Sequence, residues 1–460
     1  AGVELIGFLM KSHEVSGKGW ALRAIMEVAN RLESDLVILE ADLVSSVEGN
    51  RIAGLSPEWI TRLLTSIRSE KFDVVLSRFD RHWLEAPIAN HLIRPLIAAI
   101  YNFALHDPLC GEIAISSDFL KTYLEDTDAW ASDVGRYGID VWLITRAIVK
   151  GANIAEARLG TKLHKPSPGK QELVLREQAK TLLEQISLTR DFWKERGEAI
   201  LPVAGLGFSD SQQPVAPHPD IPSHIIRYRK GFNRFHPEYR EILPAEIFAK
   251  LERLAESSPT EFDFTVGLWC QTLYELLITY CLDSKFVRED VLSAVIPLYY
   301  GRVAGFARAT QTLEADLASL EPGLKGRLVS LEADRALEEQ TQEFIRRKPA
   351  FLARWEAGEK ETKPLLPLIT YREFIPGVSL VLPQEFRSPT GEVVKTDDIH
   401  RAISEKYHQD FEHFVHDRLK MPRWATSFEI AESIRGFMGR AERELSRLLV
   451  GDLHTVEGTK

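Results

Sequence analysis

Several short stretches put charged side chains where a phosphorylated ligand could use them. Glu40-Ala41-Asp42 closes the apolar run 35–40, DLVILE. Two carboxylates two residues apart, on a turn leaving a strand, can aim at one divalent cation and the diphosphate it holds, and Mg²⁺ or Mn²⁺ suits such oxygen ligands. Gly17-Lys18-Gly19 stands at a helix entrance, where glycines let backbone approach a phosphate, the helix N-terminus favours negative charge and the lysine adds a cation. His164 lies in the basic stretch 158–165, and as a neutral imidazole it could complete a metal site. Glu112 follows Pro108-Leu109-Cys110-Gly111, and Asp140 follows Tyr137-Gly138-Ile139. Carboxylates so placed could hold sugar hydroxyls or balance positive charge developing at an anomeric carbon. Each feature also has a bland reading: a helix-entry turn, a capping or ion-paired acid, a surface histidine.

Elements that would position these residues alternate along the first 170 residues. The spacing predicts strands over 4–10, 35–40 and 72–77, and helices over 20–32 and 57–69, the latter opened by Ser56-Pro57. Strand–helix–strand alternation implies a mainly parallel sheet with helices on its faces, and ligands in such sheets sit beyond the carboxyl ends of the strands. The acids after Leu39, the basic residues after Leu76 and the loop around Gly17 all fall at such ends. A helix over 171–193 would close this region, and 203–224, rich in Pro, Gly and Ser, reads as a linker or long loop. Helical periodicity follows over 266–280, 291–306 and 324–344, with a charged connector at 356–364, strands within 370–382, and a last helix from Thr426, capped with Glu429, to about 450. The expected domains are therefore 1–200, an α/β catalytic domain, 201–225, a linker, and 226–460, a mainly helical domain.

Bulk properties narrow the classes. At 460 residues, two or three domains are expected. A net charge of -10 argues against a polyanion-binding surface, so nucleic acid is not an expected partner. Three cysteines, Cys110, Cys270 and Cys281, read as free thiols of a reducing compartment. The most apolar stretch, 92–105, carries Arg94, Pro95 and Asn102 and is too short to span a bilayer. No cationic segment precedes an apolar run at the N-terminus, so the expectation is a cytoplasmic protein without a membrane span.

Taken in order, GKGWALR (17–23), LVILEADL (36–43), VVLSRFDR (74–81), IRPL (93–96), PLCGEIAIS (108–116), YGIDVWLITRA (137–147) and RLGTKLHKP (158–166) resemble one pattern. It is that of the retaining GT-A glycosyltransferases that make glycosylglycerates, the mannosylglycerate and glucosyl-3-phosphoglycerate synthases. The stretches 261–280 and 297–310 are more loosely similar to the helical domain of the mannosylglycerate enzymes.

The resemblance implies a Rossmann-like GT-A domain followed by a helical one, and α-hexosyl transfer with retention. The implied donor is GDP-mannose, GDP-glucose or UDP-glucose, the acceptor glycerate, 3-phosphoglycerate or a similar small acid, and the assembly a homo-oligomer. Gly17, Lys18, Gly19, Glu40 and Glu112 would bind the donor. Asp42 and His164 would hold Mg²⁺ or Mn²⁺. Arg78, Arg81 and Asp140 would meet the acceptor, with Glu112 and Asp140 at the reaction centre. The chain opens AGVELIGFLM, at what resembles the family's third strand, so the strands that read the nucleotide base are expected to be missing. Two alternatives stand beside this reading: a GT-A transferase with a glycan or other acceptor, and a catalytically inactive GT-A-like interaction protein.

Overall fold

The structure is a computed structural model that describes residues 17–48, 51–126, 128–163, 169–197, 199–207, 220–283, 285–361, 385–387 and 393–395. The expected strand at 4–10, His164, most of the 203–224 loop, the strands within 370–382 and the helix from Thr426 lie outside the described residues. Two units are distinguished, one of them spanning Lys18–Ala129 and Asp133–Lys363. In the other, strands β10 (Glu385–Arg387) and β11 (Val393–Lys395) form an antiparallel pair.

The larger unit begins with α1 (Lys18–Arg31), β1 (Leu36–Ile38), the antiparallel pair β2 (Ser45–Glu48) and β3 (Arg51–Gly54), α2 (Pro57–Arg68) and β4 (Val74–Asp80). Then come α3 (Arg94–Tyr101), β5 (Phe103–Ala104), β6 (Ile113–Ile115), α4 (Ser117–Leu124), α5 (Ile139–Val149) and β7 (Ile154–Thr161). Next are α6 (Gln171–Leu188), α7 (Arg190–Lys194), β8 (Leu201–Pro202) and β9 (Ala204–Leu206). Helices α8 (Ile221–Arg234), α9 (His236–Ile242), α10 (Ala245–Glu256), α11 (Val266–Leu282), α12 (Arg288–Asp316) and α13 (Pro322–Glu361) complete it.

The sheet order is β1-β6-β4-β7-β9. β4 pairs parallel with β7 and β7 with β9, while β6 runs antiparallel to both β1 and β4. The sheet is therefore mixed rather than mainly parallel: β1, β4, β7 and β9 share one direction and β6 opposes them. The reason is local. The chain after α3 returns through the 105–112 turn at the carboxyl end of β4, so β6 runs back down the sheet and needs no crossover. Gly111 makes that turn with φ +85°, a conformation that favours glycine.

Helix signals mark α2 well: the Ser56 hydroxyl accepts from the Glu58 N–H, Pro57 stands at the first turn, and Trp59, Leu63 and Ile67 are buried. Two boundaries differ from expectation. Ala204–Leu206 is not loop but the edge strand β9, and 356–361 continues α13 instead of forming a connector. The apolar stretch around α3 is the central helix of the unit, with Pro95 to Tyr101 all buried. α13 covers it, and α11 and α13 hold the turn before it: Trp269 Nε1 donates to the His91 carbonyl (2.7 Å) and Gln340 Nε2 to that of Asn90 (2.8 Å). Lys348 Nζ caps the end of α3 at the Ile100 carbonyl, where helix polarity favours a cation. Among the described residues, no helix is long and apolar enough to cross a membrane.

Candidate functional site

Register fixes where the site must lie. Ile113 at the start of β6 sits opposite Ile38, the last residue of β1, and opposite Leu76 of β4. The carboxyl ends of β1, β4 and β7 and the beginning of β6 therefore share one edge of the sheet. Glu40 leaves β1 there, Glu112 enters β6 there, and Lys162 leaves β7 there.

Two lysines tie these acids together. Lys162 Nζ lies 2.8 Å from Glu40 Oε2, 2.9 Å from Glu112 Oε2 and 2.7 Å from the Cys110 carbonyl. Lys18 Nζ lies 2.8 Å from Glu40 Oε1 and 2.7 Å from Asp140 Oδ1. The carboxylate of Glu40 sits in the space a side chain at Gly111 would fill, its Cδ 2.4 Å from an ideal Cβ there.

Helix ends bring in the remaining partners. The Gly19 N–H donates to the Arg136 carbonyl, and its Cα rests so closely on Val134 and Gly135 that a Cβ would clash. That seat holds the start of α1 beside the start of α5, so Lys18 reaches Asp140 in the first turn of α5. α6 braces the same turn: Glu177 accepts from the Tyr137 N–H, and Gln178 Nε2 approaches Asp140 Oδ2 at 3.4 Å.

Electrostatics divides the acids into two states. Burial alone would raise Glu40, but Lys18 and Lys162 outweigh it and hold its carboxyl down at about 2. Glu112 has no exposed surface. Burial pushes it up to about 7 against the pull of Lys162, and the Glu40 charge adds to the rise. Burial disfavours the Lys18 and Lys162 ammonium groups, yet the neighbouring carboxylates keep both above the ordinary lysine range. Two lysines face three carboxyl groups, so a proton on the most buried one balances the cluster. Oε1 of Glu112 and Oδ1 of Asp42 are buried with no hydrogen-bond partner among the described residues.

Arg81 belongs to the same neighbourhood. Its Nε lies 2.8 Å from Asp107 Oδ2, its guanidinium stacks over Phe79, and Lys162 lies over the same ring. Asp107 is itself held by β7, because Glu156 Oε1 accepts from the His106 and Asp107 N–H groups and Oε2 meets His106 Nδ1 at 2.8 Å. Arg78 has different surroundings. In register it faces Arg158 on β7, and it feels Arg94 rather than Asp107.

Of the residues singled out in the sequence, Lys18, Glu40, Glu112 and Asp140 form one bonded network. Arg81 flanks it, and Gly17 and Gly19 adjoin Lys18 in the chain. Asp42 lies on the turn after Glu40, and the Val44 N–H donates to the Leu163 carbonyl (3.0 Å), joining that turn to the segment before His164. His164 itself is outside the described residues. Among the described residues, no three His, Cys, Asp or Glu side chains group as a metal site. Lys162, Asp107, Glu156 and Gln178 were not anticipated; the one available signal was the place of Lys162 two residues before His164. Cys110, Cys270 and Cys281 are free thiols, as expected. No known family matches the chain, and no curated protein matches it.

Proposed function

We propose that the chain is a retaining hexosyltransferase that moves mannose or glucose from a sugar nucleotide to glycerate, 3-phosphoglycerate or a similar small acid. The observation that carries this reading is the meeting of Lys18, Glu40, Glu112 and Asp140, drawn from four separate stretches, at one edge of the sheet. Lys162 joins them there. A site built only for stability has little reason to bury that many charges, since well-packed apolar residues serve as well.

Each side chain then has a task. Lys18, at the start of α1, would meet the diphosphate of the donor. Glu40 would order the donor's ribose, and Glu112, poised near neutrality, would hold a hydroxyl of the donor sugar with its buried Oε1. Asp42 and His164 would hold Mg²⁺ or Mn²⁺, whose charge offsets that of the departing diphosphate. The Oδ1 of Asp42, buried and without a hydrogen-bond partner among the described residues, suits such an ion. Asp140 would stand by the anomeric carbon and the acceptor, whose acidic group Arg81 and Arg78 would bind. The bond from the anomeric carbon to the diphosphate oxygen breaks, the bond to the acceptor oxygen forms on the same face, and the acceptor proton passes to the diphosphate.

Calorimetric titration tests the donor site. GDP-mannose, GDP-glucose or UDP-glucose should bind the full-length protein in the presence of Mn²⁺, and Lys18→Ala should weaken binding by about tenfold, the order of a lost charge-assisted contact. Asp42→Ala and His164→Ala should each weaken Mn²⁺ binding. Binding of none of the three sugar nucleotides, or Mn²⁺ binding as tight in both variants as in the parent, would contradict the assignment.

A further inference from the structure

The parallel pairing of β4 with β7 sets Arg78 directly beside Arg158. Like charges abreast on neighbouring strands cost stability unless something pairs with them. Nothing among the described residues does: neither guanidinium has a carboxylate within ion-pairing distance. Glu156, one step back on the same face of β7, is committed through both oxygens to His106 and Asp107. Arg94, at the start of α3, adds a third positive charge within electrostatic reach of Arg78. Its own partner is Glu338 of α13, and Asp334 of α13 also faces Arg94 and Arg78. Burial, then Arg158 and Arg94, lowers the Arg78 pKa, whereas Glu156 and Asp80 oppose that shift. Burial holds the Asp334 carboxyl up despite the two arginines. The acids of α13 thus leave the Arg78–Arg158 pair without a direct counter-ion among the described residues.

We propose that Arg78 and Arg158, backed by Arg94, form a binding site for a phosphate-monoester dianion, separate from the Lys18–Glu40–Lys162–Glu112 network. The chemistry favours phosphate over a single carboxylate. Two guanidinium forks side by side offer donors to several oxygens of one tetrahedral anion, and a dianion offsets two unpaired cations where a monoanion leaves one. Arg81 is set apart from this site by its place, tied to Asp107 and over the Phe79 ring that it shares with Lys162. The proposal deepens the transferase reading, in which Arg78 meets the acceptor and from which it takes that one residue, but the anion site requires no turnover.

The test is titration of the full-length protein with inorganic phosphate, with acetate as the carboxylate probe, in low salt. Phosphate should bind and acetate should bind at least tenfold more weakly. Arg158→Ala and Arg78→Ala should each weaken phosphate binding by tenfold or more, while Lys250→Ala, at an exposed position of α10, leaves it unchanged. Arg158→Lys keeps the charge and the strand but not the fork, so it should fold and still lose several-fold in affinity. No phosphate binding by the parent, equal affinity in Arg158→Ala, or loss in Lys250→Ala would overturn the proposal. Absence of glycosyl transfer would leave this titration untouched, so failure of the transferase reading and failure of the anion site are separable.

Discussion

At the scale of single residues, burial raises the Glu112 carboxyl above its ordinary range, and the neighbouring Glu40 charge adds to the rise. The folded pKa of Glu112, about 7, lies above the ordinary value of 4.5, so between those values the folded protein holds a proton that the unfolded chain has released. The stability linked to Glu112 is full below about pH 4.5 and lost as pH rises through about 7. Glu184 shifts in the same direction, so the informative quantity is a difference. Glu112→Gln should flatten the fall of Tm between pH 5 and pH 7.5 relative to the parent by at least about 2 °C; parallel profiles would contradict the burial argument. Lys162 supplies a second prediction. Its side chain is 5% exposed and bridges two acids, so Lys162→Met should cost about 3–5 kcal/mol by leaving buried charge unpaired. Adding Glu112→Gln should recover part of that cost in denaturant unfolding. Additive costs would show that the two groups are not coupled. Lys18, Glu40, Glu112 and Asp140 were legible because each sits beside or near a glycine or at a strand end. Lys162 was not, because a lysine in a basic tail looks like a solvated one until β7 is seen to carry it inward.

Elements place these groups, and two glycines set how closely they approach. A Cβ at Gly19 would strike the Val134 carbonyl, and one at Gly111 would strike the Glu40 carboxylate. Gly111→Ala also forces an alanine into a positive φ, a strain of about 1 kcal/mol or more before any clash. Gly19→Ala should lift α1 off its seat and part Lys18 from Asp140, weakening donor binding about as much as Lys18→Ala does. Gly197→Ala, where a Cβ meets nothing within 4 Å, should leave it unchanged. Equal donor affinity in Gly19→Ala and the parent would show that the α1 seat does not position Lys18. Helix limits such as Ser56-Pro57 were readable because caps are chemical signals in the chain. The reversal of β6 was not, since apolar spacing carries no strand direction. β9 was hidden because a short edge strand made of Ala, Gly and Leu looks like the loop around it.

At the scale of the molecule, the sheet and the helices from α8 to α13 share one interior. α3 is buried beneath α13, and the bonds from Trp269, Gln340 and Lys348 satisfy carbonyls of α3 and of the turn before it. A fragment ending at Gly207 would expose those carbonyls and an apolar helix together, so it should lack a cooperative thermal transition. A sharp transition in that fragment would show that the sheet region folds alone. Helical periodicity made the long helices legible, but not their role as the cover of α3. The most direct test of the central claim is nucleoside diphosphate release by the full-length protein with Mg²⁺ or Mn²⁺. GDP-mannose, GDP-glucose and UDP-glucose would each be paired with D-glycerate and 3-phosphoglycerate. A transferase built on Lys18, Glu40, Glu112 and Asp140 should release diphosphate with at least one pair, only when both metal and acceptor are present, and Lys18→Ala should slow that release by at least tenfold. No metal-dependent release with any pair would contradict it.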